Sequence, residues 1–222
     1  MDDHAFQTAG RADTGRAVAF SDAVFAIIIT LLVLDLRPPD VEPGRLLSGL
    51  LQQWPTYLAY VTSYLYVGVV WTNHKATFKR IHWTDRGLHW ANLGVLFTTA
   101  LLPFPTAVIS KTMSYGNLAD ERTAVGFYAL IGALLCLSWL VFFHYLTRHR
   151  ELVEKNVSER FFHDERKRAF TGVALYSLAG VLGSVTTPAV ALAIFLLLPV
   201  FYGLTSEGLY ELPILSHRLR SQ

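Results

Sequence analysis

"RAVAFSDAVFAIIITLLVLDL", residues 16–36, decides how the rest of the chain is read. Residues 23–34 carry no charge and a single hydroxyl, that of Thr30. Such a run suits the hydrocarbon of a bilayer. Yet Ser21 and Asp22 stand directly before it, with Arg16 further upstream. A carboxylate at the mouth of an apolar helix is costly unless it has a partner. It either reaches interfacial water or joins helices from inside a bundle.

A helical wheel at about 100° per residue sorts this stretch into faces. With Ile27 at zero, Leu31 falls at about 40°, Leu34 at about −20°, Ala23 at about −40° and Thr30 at about −60°. Asp22 falls near about −140°, almost behind that stripe. Whatever the stripe faces, Asp22 faces something else.

The same character runs through all 222 residues. The chain is 52% hydrophobic and only 16% charged, against about 25% charged for a soluble domain, and its mean hydropathy is positive. This is the composition of an integral membrane protein. A net charge of +2 gives no footing for nucleic acid. One cysteine, Cys136, excludes an intrachain disulfide and a cysteine metal site. The first fifteen residues are polar and lack the order of a signal peptide.

Six stretches approach the ~20 residues that a helix needs to cross a bilayer: 17–36, 55–71, 88–108, 123–146, 169–185 and 188–205. Pro38 and Pro39 stop the first, Pro55 opens the second, and Pro103 and Pro105 are expected to kink the third. "TTP" between the fifth and sixth predicts a tight hairpin. The expectation is a single all-α, polytopic membrane domain over residues 1–222. With both termini in the cytoplasm, fifteen lysines and arginines fall inside and four, Arg37, Arg45, Lys111 and Arg122, fall outside. That bias predicts six spans with both ends cytoplasmic in a cell membrane. Trp54, Trp71, Trp83 and Trp90 sit near span ends, where interfacial anchors belong. The same topology places Arg16, Ser21, "WTNH" at residues 71–74 and Asn92 at the depth of Asp22, which favours a hydrogen-bonded network inside the bundle.

Two motifs carry a resemblance. "RAVAFSDAVFAI" resembles the Arg-x-x-x-Phe-Ser-Asp signature in the first helix of the transmembrane protein 175 family of potassium channels. "WTNHKATF", residues 71–78, is similar to that family's second-helix ending. The resemblance covers nearly the whole chain and implies a homotetramer with a central pore lined by the first helix. Bulky residues at fixed distances after Phe-Ser-Asp form the narrow part of that pore; carried over, they are Ile27, Leu31 and Leu34, the stripe found on the wheel. The hydroxyl that contributes to potassium preference is Thr30, and Ala26 stands where some relatives have a serine. Arg16, Phe20, Ser21, Asp22, Trp71, His74 and Asn92 become a structural network that fixes the pore helix. No "TVGYG" filter is present.

The implied partners are potassium ions, three further copies of the chain and the lipid bilayer; no cofactor is called for. Without the resemblance, an Ile/Leu stripe is more often a packing face. His82 and His89 are seven apart and lack a third ligand, so no metal site is expected. "HDERKRAF", residues 163–170, reads as a solvated or headgroup face. Tyr57, Tyr60 and Tyr64 read as packing, and Gly172, Gly180 and Gly183 as close helix contacts. The leading expectation is potassium conduction through a hydrophobic constriction. Proton conduction in the same scaffold, with Asp22 and His74 as its carriers, is the alternative. An enzyme lacks paired acids, a metal motif or a nucleophile with a base in the spans, and a transporter lacks inverted halves.

Overall fold

The computed structural model describes residues 12–205. The architecture is helical. In chain order it comprises α1 (Gly15–Leu32), α2 (Leu46–Gln52), α3 (Trp54–Phe78), α4 (Arg86–Ala100), α5 (Pro103–Tyr115), α6 (Leu118–Arg148), α7 (Glu159–Val185) and α8 (Pro188–Thr205). Local chemistry sets several of these ends. Asp85 caps α4 by accepting from the Leu88 N–H at 2.8 Å, and Asn117 caps α6 at Ala119 and Asp120. Ser158 opens α7 in the same way. Gly116, at φ 67°, ends α5 in the left-handed region that glycine adopts without strain.

Among the described residues, four segments are long and apolar enough to cross a membrane: Gly15–Asp35, Arg86–Ser114, Leu118–Arg148 and Glu159–Val185; Pro188–Leu204 is apolar but shorter. The helix over the second expected span, α3, does not reach that apolarity. It lies inside the bundle, and its hydroxyls bond to neighbours. Ser63 contacts Thr106 at 2.7 Å and Tyr128 at 3.0 Å, and Ser110 donates to Thr56 at 2.7 Å. In hydrocarbon such pairs satisfy polar groups that lipid cannot.

The third expected span is two helices. Pro103 and Pro105 lack the N–H groups that would reach the Thr99 and Leu101 carbonyls. Those carbonyls accept instead from Leu102 at 3.1 Å and Phe104 at 3.1 Å, three residues on, which closes the break with tighter turns. Three other helices run past the expected boundaries: α3 continues to Phe78, α6 begins at Leu118 and α7 begins at Glu159.

The long antiparallel helices α6 and α7 pack along most of their length, and α3, α4, α5 and α8 complete the bundle. Helix α1 lies at its edge, against α3 and α4. Short strands β1 (Ala12–Asp13) and β2 (Trp83–Thr84) pair antiparallel, Ala12 with Thr84 and Asp13 with Trp83. Ile81 bridges Val153, and Glu154 N–H donates to the Arg80 carbonyl at 2.9 Å. The residues before α1 are thus tied to the turn after α3, and that turn to the loop before α7.

Candidate pore helix and its anchor

The two faces of α1 differ sharply. Ala17, Ser21, Phe25, Ile28 and Leu32 are buried against the bundle. Ala23, Ile27, Thr30 and Leu31 are exposed, and so are Phe20 and Ala26; Leu34, in the 3-10 turn Val33–Asp35 that continues α1, is exposed as well. Adjacent isoleucines show the division: Ile27 is 58% exposed and Ile28 is 2% exposed. The Ile27–Leu31–Leu34 stripe therefore has no partner among the described residues. Thr30 lies on the same side. Its hydroxyl donates to the Ile27 carbonyl at 2.8 Å, which leaves the oxygen lone pairs to accept or to meet a cation.

The buried face is held by a polar chain that runs in one direction. Ser21 Oγ donates to the Ala17 carbonyl at 2.8 Å. Asn92 Nδ2 on α4 donates to Ser21 Oγ at 3.0 Å. Asn92 Oδ1, an acceptor only, contacts His74 Nε2 on α3 at 2.8 Å. With that oxygen as acceptor, Nε2 carries a proton and donates it to Asn92. Its Nδ1 is buried without a hydrogen-bond partner among the described residues. The ring stacks on Phe78 at 4.3 Å and meets Phe25 edge-on at 5.2 Å. Three helices, α1, α3 and α4, thereby meet through three buried polar side chains.

Asp22 is anchored separately. It accepts from Trp71 Nε1 at 2.8 Å, and Lys75 Nζ lies over the same indole, 5.3 Å from the ring centroid. The seven expected network residues thus fall into two linked groups and two outsiders. Ser21, His74 and Asn92 form one group, and Asp22 and Trp71 the other. Arg16 is exposed and makes no hydrogen bond or ion pair among the described residues. Phe20 is exposed and has no polar side chain. The hydrogen bonds of the anchor therefore do not include these two.

Sequence reasoning missed a contact beside the anchor. Asp85 Oδ2 accepts from Tyr145 OH at 2.7 Å while its Oδ1 caps α4. An aspartate just before an apolar helix signals the cap; nothing local signals Tyr145. Among the described residues, no group of three or more histidines, cysteines, aspartates or glutamates could hold a metal.

A family model described as the endosomal/lysosomal potassium channel TMEM175 matches residues 16–103, which hold both α1 and the anchor residues. A protein described as a potassium channel from Streptomyces collinus is 37% identical over 192 residues, 86% of this chain and 92% of that protein. The chain belongs to the TMEM175 family. A solved protein from Chamaesiphon minutus, described as a homologue of the lysosomal potassium-selective channel TMEM175, superposes with a TM-score of 0.75 at 31% identity. It covers 86% of this chain and 96% of its own. The rat protein described as an endosomal/lysosomal proton channel TMEM175 is 28% identical over 78% of this chain, which spans 36% of its length. These TMEM175 relatives are ion channels and not enzymes, and TMEM175 membership with several apolar helices makes this chain a multi-pass membrane protein.

Proposed function

We propose that the chain is one subunit of a homotetrameric, potassium-permeable channel whose pore is lined by α1. The observation that carries this reading is the unpartnered Ile27–Leu31–Leu34 stripe on a helix whose opposite face is firmly anchored. A peripheral helix with one fixed face and one bare face suits a wall shared by several copies. The likeness to described potassium channels from two bacteria supports the ion.

The chain forms one domain of six spans in the cell membrane, with both termini cytoplasmic. Helices α3 and α8 supply the spans that apolarity alone does not mark. The lysine and arginine bias supports the orientation. Four Ile27 side chains form a ring that blocks ions by size and by dewetting. Thr30 hydroxyl oxygens face a passing cation one turn on. Potassium sheds hydration water more readily than sodium, so a tight, weakly polar passage favours it modestly.

Proteoliposomes with a potassium gradient test this reading. Potassium flux above sodium flux, increased in Ile27→Asn, supports the hydrophobic gate. No flux from either protein, with intact tetramers, overturns it.

Proton conduction is the second reading, favoured by the descriptions of the vertebrate relatives. It requires Asp22 or His74 to exchange protons. Proton flux that persists without potassium and falls in Asp22→Asn supports it; equal proton flux in wild type and Asp22→Asn removes Asp22 from it.

A further inference from the structure

The segment that joins α1 to α3 holds the short helix α2, whose surface is divided three ways. On a wheel at about 100° per residue, with Leu46 at zero, Leu50, Leu47 and Leu51 follow at about 40°, 100° and 140°. All four leucines are exposed. Ser48 and Gln52 sit at about 200° and 240° and are exposed as well. Gly49, at about 300°, is buried. A Cβ built there would lie 2.8 Å from Val41 Cγ1 and 3.0 Å from Pro39 Cβ, so this side of α2 rests on the chain that leaves α1. The other end of α2 runs into α3 through a single residue, Gln53. Trp54, the first residue of α3, is exposed. No charged residue falls within Leu46–Gln52.

We infer that α2 lies in the bilayer surface at the Asp35 end of α1, with Leu46, Leu47, Leu50 and Leu51 turned to lipid acyl chains and Ser48 and Gln52 turned to headgroups and water. Both ends of α2 are held at that level. Gly49 packs on residues only a few positions past the apolar segment Gly15–Asp35, and Gln53 adjoins the first turn of α3. Trp54 is of the residue type that gathers at membrane–water interfaces. An uncharged apolar arc opposite a polar one lays a helix in an interface, its apolar face about 5–10 Å into the boundary between headgroups and acyl chains. A second copy of the chain is the poorer occupant. Two turns of helix are only about 10 Å long, whereas a standard protein interface takes about 800 Å² from each partner. Seated in this way, α2 ties the Asp35 end of α1 to the lipid surface. The inference rests on α1 and α3 crossing the bilayer in succession, and not on the ion that passes.

The test places an environment-sensitive fluorophore on single introduced cysteines of the full-length protein in phosphatidylcholine nanodiscs. Cys136 is buried, and the unsubstituted protein serves as the blank. Lipid bearing a nitroxide near the glycerol end of its acyl chain should quench Leu47→Cys and Leu51→Cys labels at least about twofold more than a Ser48→Cys label. Iodide in the water should give the reverse order. Iodide quenching of the leucine labels equal to that of Ser48→Cys overturns the inference, because α2 then stands in water. Quenching by neither agent also overturns it, because protein then covers the leucines, whether from a second copy or from the same chain. Stronger quenching by a nitroxide near the methyl end of the acyl chain overturns the surface placement in favour of a buried one. A Leu65→Cys label, at an exposed position midway along α3, checks the span on its own. Iodide that reaches it overturns the crossing of α3 and the placement built on it, a result that the α2 labels cannot mimic.

Discussion

Trp71 donates its indole N–H to Asp22 Oδ1 at 2.8 Å, and this bond fixes the charged end of α1 to α3. Lipid gives helices little reason to associate by burial alone, so polar links weigh heavily. Trp71→Phe keeps the ring bulk and removes the donor. We expect a stability loss of about 1–2 kcal/mol, the low end for a bond to a charged group because the indole is partly exposed. Asp22→Asn retains an acceptor oxygen and should lose less than Asp22→Ala. Melting of the detergent-solubilised protein, followed by size-exclusion chromatography, checks that order. Equal losses in Asp22→Asn and Asp22→Ala would contradict it.

The buried chain through Asn92 should be the more sensitive part of the anchor. Asn92→Ala strips the acceptor from His74 Nε2 and the donor from Ser21 Oγ, both in fully buried surroundings. Leaving two buried polar groups unsatisfied costs about 2–4 kcal/mol. His74→Ala in the Asn92→Ala background should cost less than in wild type. A double-mutant cycle measured by thermal unfolding tests that coupling, and strict additivity would deny it.

The anchor was partly legible in the sequence. Ser21, Trp71, His74 and Asn92 are polar residues at one membrane depth, and that coincidence pointed to one another as partners. The two faces of α1 were legible because a period of 3.6 separates Ile27 from Ile28 without any tertiary knowledge. Helix ends were less so. Hydropathy marks the apolar slab, whereas a helix continues while its own hydrogen bonds are made, so α3 runs on to Phe78 and α7 starts at Glu159. Arg16 and Trp71 are both candidate partners of Asp22 by depth, and the indole of Trp71 is the group that reaches the carboxylate. The pairing of Asp13 with Trp83 was invisible, because two-residue strands leave no periodic trace.

Gly180 offers a test of the packing that holds the bundle behind α1. A Cβ built there would lie 2.6 Å from the Ala129 Cβ on α6. Neither atom can rotate away, so Gly180→Ala must push α7 off α6. Overpacking of this kind costs about 1–3 kcal/mol. The expected result is a lower melting temperature with the exposed Ile27 face untouched. Gly94→Ala, where a Cβ meets nothing within 4 Å, serves as the control and should melt as wild type does.

Ile27 and Ile28 are adjacent in sequence yet should fail in opposite ways. Ile28→Ala removes buried packing at a 2% exposed site and should cost about 2–4 kcal/mol. Ile27→Ala removes side-chain bulk from a face with no partner among the described residues, so the fold should lose little. In the channel reading it widens the narrowest ring, and potassium flux per tetramer should rise. Flux and melting measured on the same two variants separate the roles. A large melting loss in Ile27→Ala with unchanged flux would make the stripe a packing face.

In the channel reading, Thr30 should set ion preference without setting stability. Its hydroxyl donates to the Ile27 carbonyl within its own helix, and the exposed oxygen keeps lone pairs for a cation. Thr30→Val preserves shape and removes that oxygen. An exposed hydroxyl contributes little to the fold, so melting should shift by less than about 0.5 kcal/mol. The potassium-to-sodium flux ratio should fall, because the remaining apolar ring separates the two ions only by the ease with which each sheds water. Thr30→Ser keeps the oxygen and should keep most of the ratio. If Thr30→Val and Thr30→Ser lower the ratio equally, the oxygen is not what favours potassium, and preference has to come from the width of the Ile27 and Leu31 rings.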